Sequence, residues 1–112
     1  MSALAPIPMD TTPINVRLVA VEDDTMEPTL RRGDAVIAVP TDSYSGEGVY
    51  LIDKGYPAVY RVSPRPDGNF SLYRDNKAYG EPEEWTRKDF EKIVIGKVGA
   101  LVHVINRSAL AG

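Results

Sequence analysis

From Ile14 the chain alternates, with Ile14, Val16, Leu18 and Ala20 on one side of an extended backbone and Asn15 and Arg17 on the other. That period of two predicts a half-buried strand, because successive side chains leave opposite faces. Ala35 to Val39, between Gly33-Asp34 and Pro40, predicts another strand, and Thr41 to Gly48 is a turn cluster. Val49 to Asp53 and Ala58 to Val62 flank Lys54-Gly55-Tyr56-Pro57 and predict a hairpin. Pro64 to Asn69 predicts a second hairpin turn, in which Asp67-Gly68 can supply positive φ, and Phe70 to Arg74 leaves it as a strand. Asp75 to Glu84 reads as irregular, and Thr86, with Asp89 three residues on, predicts the cap of a single helical turn. Ile93 to Ile105 is a β-branched run broken at Gly96 and Gly99, which predicts a bent or bulged strand pair. Short strands separated by turn signals predict an all-β domain.

At 112 residues the chain can build one core and is too short for two. Hydrophobic residues at 43% and charged residues at 26% fit an ordinary soluble domain. A net charge of -3 leaves no basic stripe for direct nucleic-acid binding. Cys is absent, which excludes disulfides, thiolate metal sites and a cysteine nucleophile. No apolar run approaches the roughly 18 residues of a membrane span. Met1 to Met9 lacks the charge and long apolar core of a signal peptide, so a cytoplasmic location is expected. The expected organisation is an arm or linker remnant over residues 1–13, a β domain over 14–107 and a short tail over 108–112.

The densest signal is Asp23-Asp24-Thr25-Met26-Glu27-Pro28-Thr29-Leu30-Arg31-Arg32-Gly33-Asp34. Pro28 fixes φ and withholds a donor, so Met26 to Thr29 reads as one tight helical turn. Gly33-Asp34 lets the chain reverse into the next strand, and Met26 and Leu30 are expected beneath the turn. The segment resembles the nucleophile segment of the LexA-like repressor and signal-peptidase families, in which a serine precedes Met-x-Pro-Thr. The resemblance runs from about Ile14 to Ile105, through Val59-Tyr60-Arg61-Val62, Asp75-Asn76-x-x-Tyr79 and Ile95-Gly96-Lys97-Val98. It implies a mostly-β, LexA-like C-terminal domain, a twisted antiparallel sheet folded on itself with little helix.

The same resemblance sets Thr25 at the place of the serine nucleophile and Tyr60 at the place of the lysine base. Such chemistry needs an oxyanion hole, for which the N–H groups of Thr25 and Met26 are the candidates, and a desolvated lysine. Thr25 keeps a hydroxyl, but its methyl crowds the attack path. A neutral phenol is a poor proton acceptor, so Tyr60 cannot replace the amine. Lys54 is expected about 20 Å from Tyr60 along an extended strand, and Arg61 points to the opposite face and never deprotonates. The family's glycine is replaced by Asp23, and no small-residue cleavage pair lies in residues 1–13; the only Ala-Gly is Ala111-Gly112. On this reading no proton acceptor stands beside the Thr25 hydroxyl. No residue is expected to be catalytic, and Asp24, Thr25, Met26, Pro28 and Tyr60 form a remnant cleft.

Other candidate residues have plainer readings. The acidic group Glu22, Asp23, Asp24 and Glu27 matches no cation-loop spacing and reads as a solvated turn, so no metal and no cofactor are expected. His103 sits in an apolar run without a sequence partner and reads as a packing residue. Tyr44, Tyr50, Tyr56, Tyr60, Tyr73, Tyr79 and Trp85 could line a ligand surface, although strands favour aromatic residues in any case. Trp85 and Phe90 are expected to close the core, and the Tyr60 hydroxyl to bond a neighbour, Thr25 among the candidates. The function implied is a non-cleaving dimerisation and effector domain of a phage or bacterial transcriptional repressor. It would form a homodimer, meet an antirepressor or other protein partner, reach DNA only through a separate upstream helix-turn-helix domain, and have no contact with membranes. The alternatives are an active Ser/Thr-type autoprotease of the same superfamily and a UmuD-like polymerase-accessory subunit.

Overall fold

The computed structural model describes residues 15–105, so the expected arm and tail lie outside the described residues. Seven strands form one antiparallel sheet: β1 (Arg17–Ala20), β2 (Ala35–Pro40), β3 (Gly48–Asp53), β4 (Pro57–Pro64), β5 (Phe70–Tyr73), β6 (Glu83–Trp85) and β7 (Val94–Val102). Their spatial order is β1-β2-β7-β3-β4-β5-β6, so the last strand enters the middle of the sheet between β2 and β3. The mostly-β expectation holds, as do both hairpins. Asp53 pairs with Pro57 across the first turn, Pro64 pairs with Phe70 across the second, and Gly68 takes a φ of 89° in the latter.

Several elements differ from the sequence reading. The strand expected from Ile14 starts at Arg17, and its apolar face is not the buried one: Leu18 is 71% exposed, while Val19 and Val21 turn inward. This is an edge strand, and the face carrying Leu18 is the exposed one, so alternation alone could not say which face meets the core. The expected strand pair over residues 93–105 is a helix end followed by the single strand β7, kinked where Gly99 falls out of register between Ala100 and Val98. Gly96 is required there because a Cβ would come 2.8 Å from the Val39 carbonyl oxygen. The single helical turn is a seven-residue helix, α1 (Arg87–Ile93), and Thr86 caps it by accepting the Asp89 N–H. The irregular stretch Asp75 to Glu84 contains a 3-10 turn (Lys77–Tyr79) and β6.

β3 and β4 are buried on both sides, which gives the protein two apolar clusters. Tyr50, Ile52, Ala58, Tyr60, Val62, Phe70, Leu72 and Phe90 fill one, with Trp85 packed against it as expected. Aromatic packing orders this cluster, with Tyr44 stacked on Phe70 at 4.3 Å and Phe90 edge-on to Phe70 at 5.2 Å and to Tyr50 at 5.5 Å. Leu51 and Val59, from the other side of the same strands, join Val21, Met26, Leu30, Val36 and Ala38 in the second cluster. Phe90 is the helix's only buried side chain. Phe90→Ala is therefore expected to destabilise the protein by about 3–5 kcal/mol in urea unfolding. A loss below about 1 kcal/mol would show that α1 does not seal the cluster.

Candidate functional site

The segment between β1 and β2 is a closed turn held by its own backbone. The Val21 N–H donates to the Asp34 carbonyl at 2.7 Å and the Gly33 N–H returns to the Val21 carbonyl at 2.9 Å. Within it, Leu30 N–H reaches the Met26 carbonyl at 2.9 Å, and Met26 and Leu30 are fully buried beneath. The geometry is a hydrogen-bonded turn rather than helix, and the Glu27–Pro28 peptide is cis.

A second segment grips this turn from outside. Arg61 of β4 donates from Nε and Nη2 to the two Asp75 oxygens, each at 2.7 Å, and the Thr29 hydroxyl donates to the same carboxylate. Asn76 follows: its N–H donates to the Thr25 carbonyl at 3.0 Å and its Nδ2 to the Asp24 carbonyl at 2.9 Å. The Tyr79 hydroxyl donates to the Asp24 carboxylate. The Asp75-Asn76-x-x-Tyr79 signature thus works as a clamp on the Thr25 turn.

The Thr25 hydroxyl donates to Asp23 Oδ1 at 2.8 Å, and the Thr25 N–H points at the same oxygen at 3.2 Å. The expectation that no acceptor stands beside this hydroxyl is therefore corrected: a carboxylate does. It also occupies one of the two N–H groups considered for an oxyanion. Thr25 and Met26 line a cleft of about 40 Å³ with Asp23, Tyr56, Ala58 and Val59. The other members of the expected remnant cleft lie elsewhere. Asp24 faces Tyr79, Pro28 lines a separate hollow with Arg31, Asp34 and His103, and Tyr60 does not line the Thr25 cleft.

Tyr60 is 2% exposed and packed with the Phe90 cluster. Its hydroxyl donates to Glu83 Oε2 at 3.2 Å and accepts from Arg74 Nη2, so its partners are these two residues and not Thr25. Burial, ahead of the opposing Arg74 charge, pushes the phenol up to about 12. The Arg74 guanidinium lies over the Tyr60 ring at 4.1 Å. Lys54 is not remote: it folds back to Glu83 at 3.1 Å, with its ammonium 5.5 Å from the Tyr60 ring centre. The hairpin turn, which an extended-strand estimate ignores, brings it there. Burial favours the neutral Glu83 carboxyl, but bonds from Trp85, Lys54 and Tyr60 outweigh it and hold the group below its ordinary value. Arg74 and Glu83 were missed as neighbours of Tyr60. The β4–β5 register could have revealed the first, since Arg61 pairs with Tyr73 and one step further sets Tyr60 opposite Arg74.

His103 also departs from its packing role. It lies just past β7 with its side chain 64% exposed and Nδ1 3.0 Å from Asp34 Oδ2. Asp34, buried at 5% exposure, also accepts the Arg31 and Val104 N–H groups. The first of these bonds is foremost in holding the Asp34 carboxyl below its ordinary range. Among the described residues no three His, Asp or Glu side chains group as a metal site would require, and no helix is long and apolar enough to cross a membrane.

The seven-stranded antiparallel sheet thus carries a hydroxyl residue, Thr25, on a clamped turn with β4 beside it. Residues 4–99 match the family described as Peptidase S24-like, and the chain belongs to that family, within the LexA/signal-peptidase superfamily. A comparison with curated proteins found no match.

The Asp75 clamp generates a pH prediction. Hydrogen bonds from the Arg61 guanidinium hold the Asp75 carboxyl below its ordinary value. Its folded value thus lies under the unfolded value of about 3.9, so the stability it adds is complete above that pH and is lost as pH falls through the folded value. Asp75→Asn is expected to cost about 1–2 kcal/mol at pH 7, a figure discounted for the solvent-facing side of the pair. The gap should narrow below about pH 4. Urea unfolding of both proteins across this range measures it, and a gap that stays constant into acid contradicts the assignment.

Proposed function

We propose that this chain is a non-cleaving dimerisation and effector domain of a phage or bacterial transcriptional repressor. The Tyr60 hydroxyl carries the reading. It stands where the family resemblance places the lysine, is pushed up to about 12, and is held between Glu83 and Arg74. A phenol in that state takes no proton near neutral pH. The amine near the Tyr60 ring, Lys54, is bonded to Glu83, and the Thr25 hydroxyl to Asp23.

Dimer formation is supported by the outer face of β1, β2 and β7. Leu18 is 71% exposed there and Val16 and Val39 are each 47% exposed, while the register sets Leu18 beside Ile37 and Ala100. A contiguous apolar patch of this kind marks an association surface, and a second copy would cover it. DNA would be reached only through a helix-turn-helix domain elsewhere in the protein, and the setting would be cytoplasmic. Release would come from an antirepressor or other protein partner docking around the Thr25 turn, where Tyr56 and Tyr79 are 55% and 46% exposed. Aromatic residues of this sort are favoured at protein interfaces.

One observation favours a second reading, a Thr25-dependent autoprotease: the Thr25 hydroxyl has a carboxylate acceptor in Asp23. A carboxylate is a far weaker base than an amine, and here it also engages the Thr25 N–H.

Two measurements test the proposal. Sedimentation at micromolar concentration is expected to give a dimer, and Leu18→Asp a folded monomer. Incubation at about pH 10, where an amine base would be partly neutral, is expected to leave a single mass. A monomeric parent protein, or a cut abolished by Thr25→Ala, would overturn the reading.

A further inference from the structure

Arg74 stands out among the cations of this region. Lys54, Arg61 and Arg65 each meet a carboxylate, whereas among the described residues no carboxylate pairs with Arg74. Its guanidinium lies over Tyr60 at 4.1 Å and is 5.9 Å from the Tyr79 ring centre. Of its five N–H donors, one is used on the Tyr60 hydroxyl, and the buried Nε has no partner. That Nε is buried, so a ligand entering from solvent would meet the outer guanidinium nitrogens. Arg74 also lines an open pocket of about 310 Å³ with Tyr73, Lys77, Gly80, Glu81 and Pro82. Lys77 adds a second positive charge to the wall; Glu81 is there too but makes no ion pair with Arg74. The pocket adjoins the clamp on the Thr25 turn, because Asn76 and Tyr79 belong to the same segment.

We infer that Arg74, with Lys77 beside it, is a carboxylate-binding subsite, and that the protein partner presents an acidic side chain or a chain-terminal carboxylate to it. A planar guanidinium stacked on an aromatic ring keeps its fork of donors oriented for the two oxygens of a carboxylate, which an ammonium cannot match. The inference rests on the reading of this surface as a docking site and names the chemistry of what docks.

The test follows the Arg Nε–H and backbone amide signals of the labelled full chain during titration with sodium acetate, with sodium chloride at equal ionic strength as the control. Acetate is expected to shift the Arg74 Nε–H signal saturably, with a midpoint below about 100 mM, and chloride is not. Acetyl-Gly-Glu-Gly-amide and acetyl-Gly-Gly with a free carboxyl then separate a side-chain source from a chain-terminal one. Arg74→Lys, which keeps the charge and loses the fork, should weaken acetate binding by about tenfold. If that variant does not fold, Lys77→Gln at an exposed position should still weaken binding measurably. A linear response, an equal response to chloride, or undiminished binding in the folded variants overturns the subsite. Self-cleavage or a monomeric state would sink the repressor reading and leave this titration unchanged, so the two failures are distinguishable.

Discussion

The Asp75 carboxylate is the contact on which the candidate site of this protein depends. It receives two charge-assisted bonds from Arg61, which is anchored in β4 at the centre of the fold, and one from Thr29 of the turn. Paired bonds of this type are stronger and more directional than neutral ones. The next residue, Asn76, holds the carbonyls of Asp24 and Thr25. The turn is therefore located from three sides: by the β1–β2 hairpin that it closes, by Met26 and Leu30 beneath it, and by this clamp above. A hydroxyl on such a turn is rigidly aimed, which is what a peptidase needs and what a docking surface can reuse.

Around the aimed hydroxyl the electrostatics differ from those of an amine-driven site. A lysine base works by giving up its charge when desolvated. Here the cation bonded to the Tyr60 hydroxyl is a guanidinium, which does not deprotonate in proteins, and the phenol between it and Glu83 stays neutral. The Lys54 ammonium near the Tyr60 ring is bonded to Glu83. On the other side, Asp23 takes both the hydroxyl and the N–H of Thr25. Both hydroxyls are thus held by charged groups, that of Tyr60 by Arg74 and Glu83 and that of Thr25 by Asp23. Fixed charges suit recognition better than proton transfer.

The sheet divides its faces unevenly. Burial of β3 and β4 on both sides concentrates the packing energy in the middle strands, while Leu18 and Val39 on the outer side of β1 and β2 are exposed. β7 lies between β2 and β3, with a register shift at Gly99 and a close approach of Gly96 to the Val39 carbonyl.

What the residues alone determined was local. The two hairpins, the capped helix start at Thr86 and the closed turn around Pro28 were legible because their signals are steric or involve hydrogen bonds within a few residues. The family frame was legible from the same turn together with Asp75-Asn76-x-x-Tyr79. The tertiary structure decided whatever depends on long-range pairing. It chose which side of Leu18 meets solvent, because a period of two carries no sign. It threaded β7 into the middle of the sheet as one strand, because glycine breaks do not reveal partners. It gave Tyr60 to Arg74 and Glu83, returned Lys54 to Glu83 and tied His103 to Asp34, since each of these contacts joins groups that are distant or folded back along the chain. Only the folded backbone brings such groups within bonding range, and side-chain chemistry can select a partner only among the neighbours that the fold supplies.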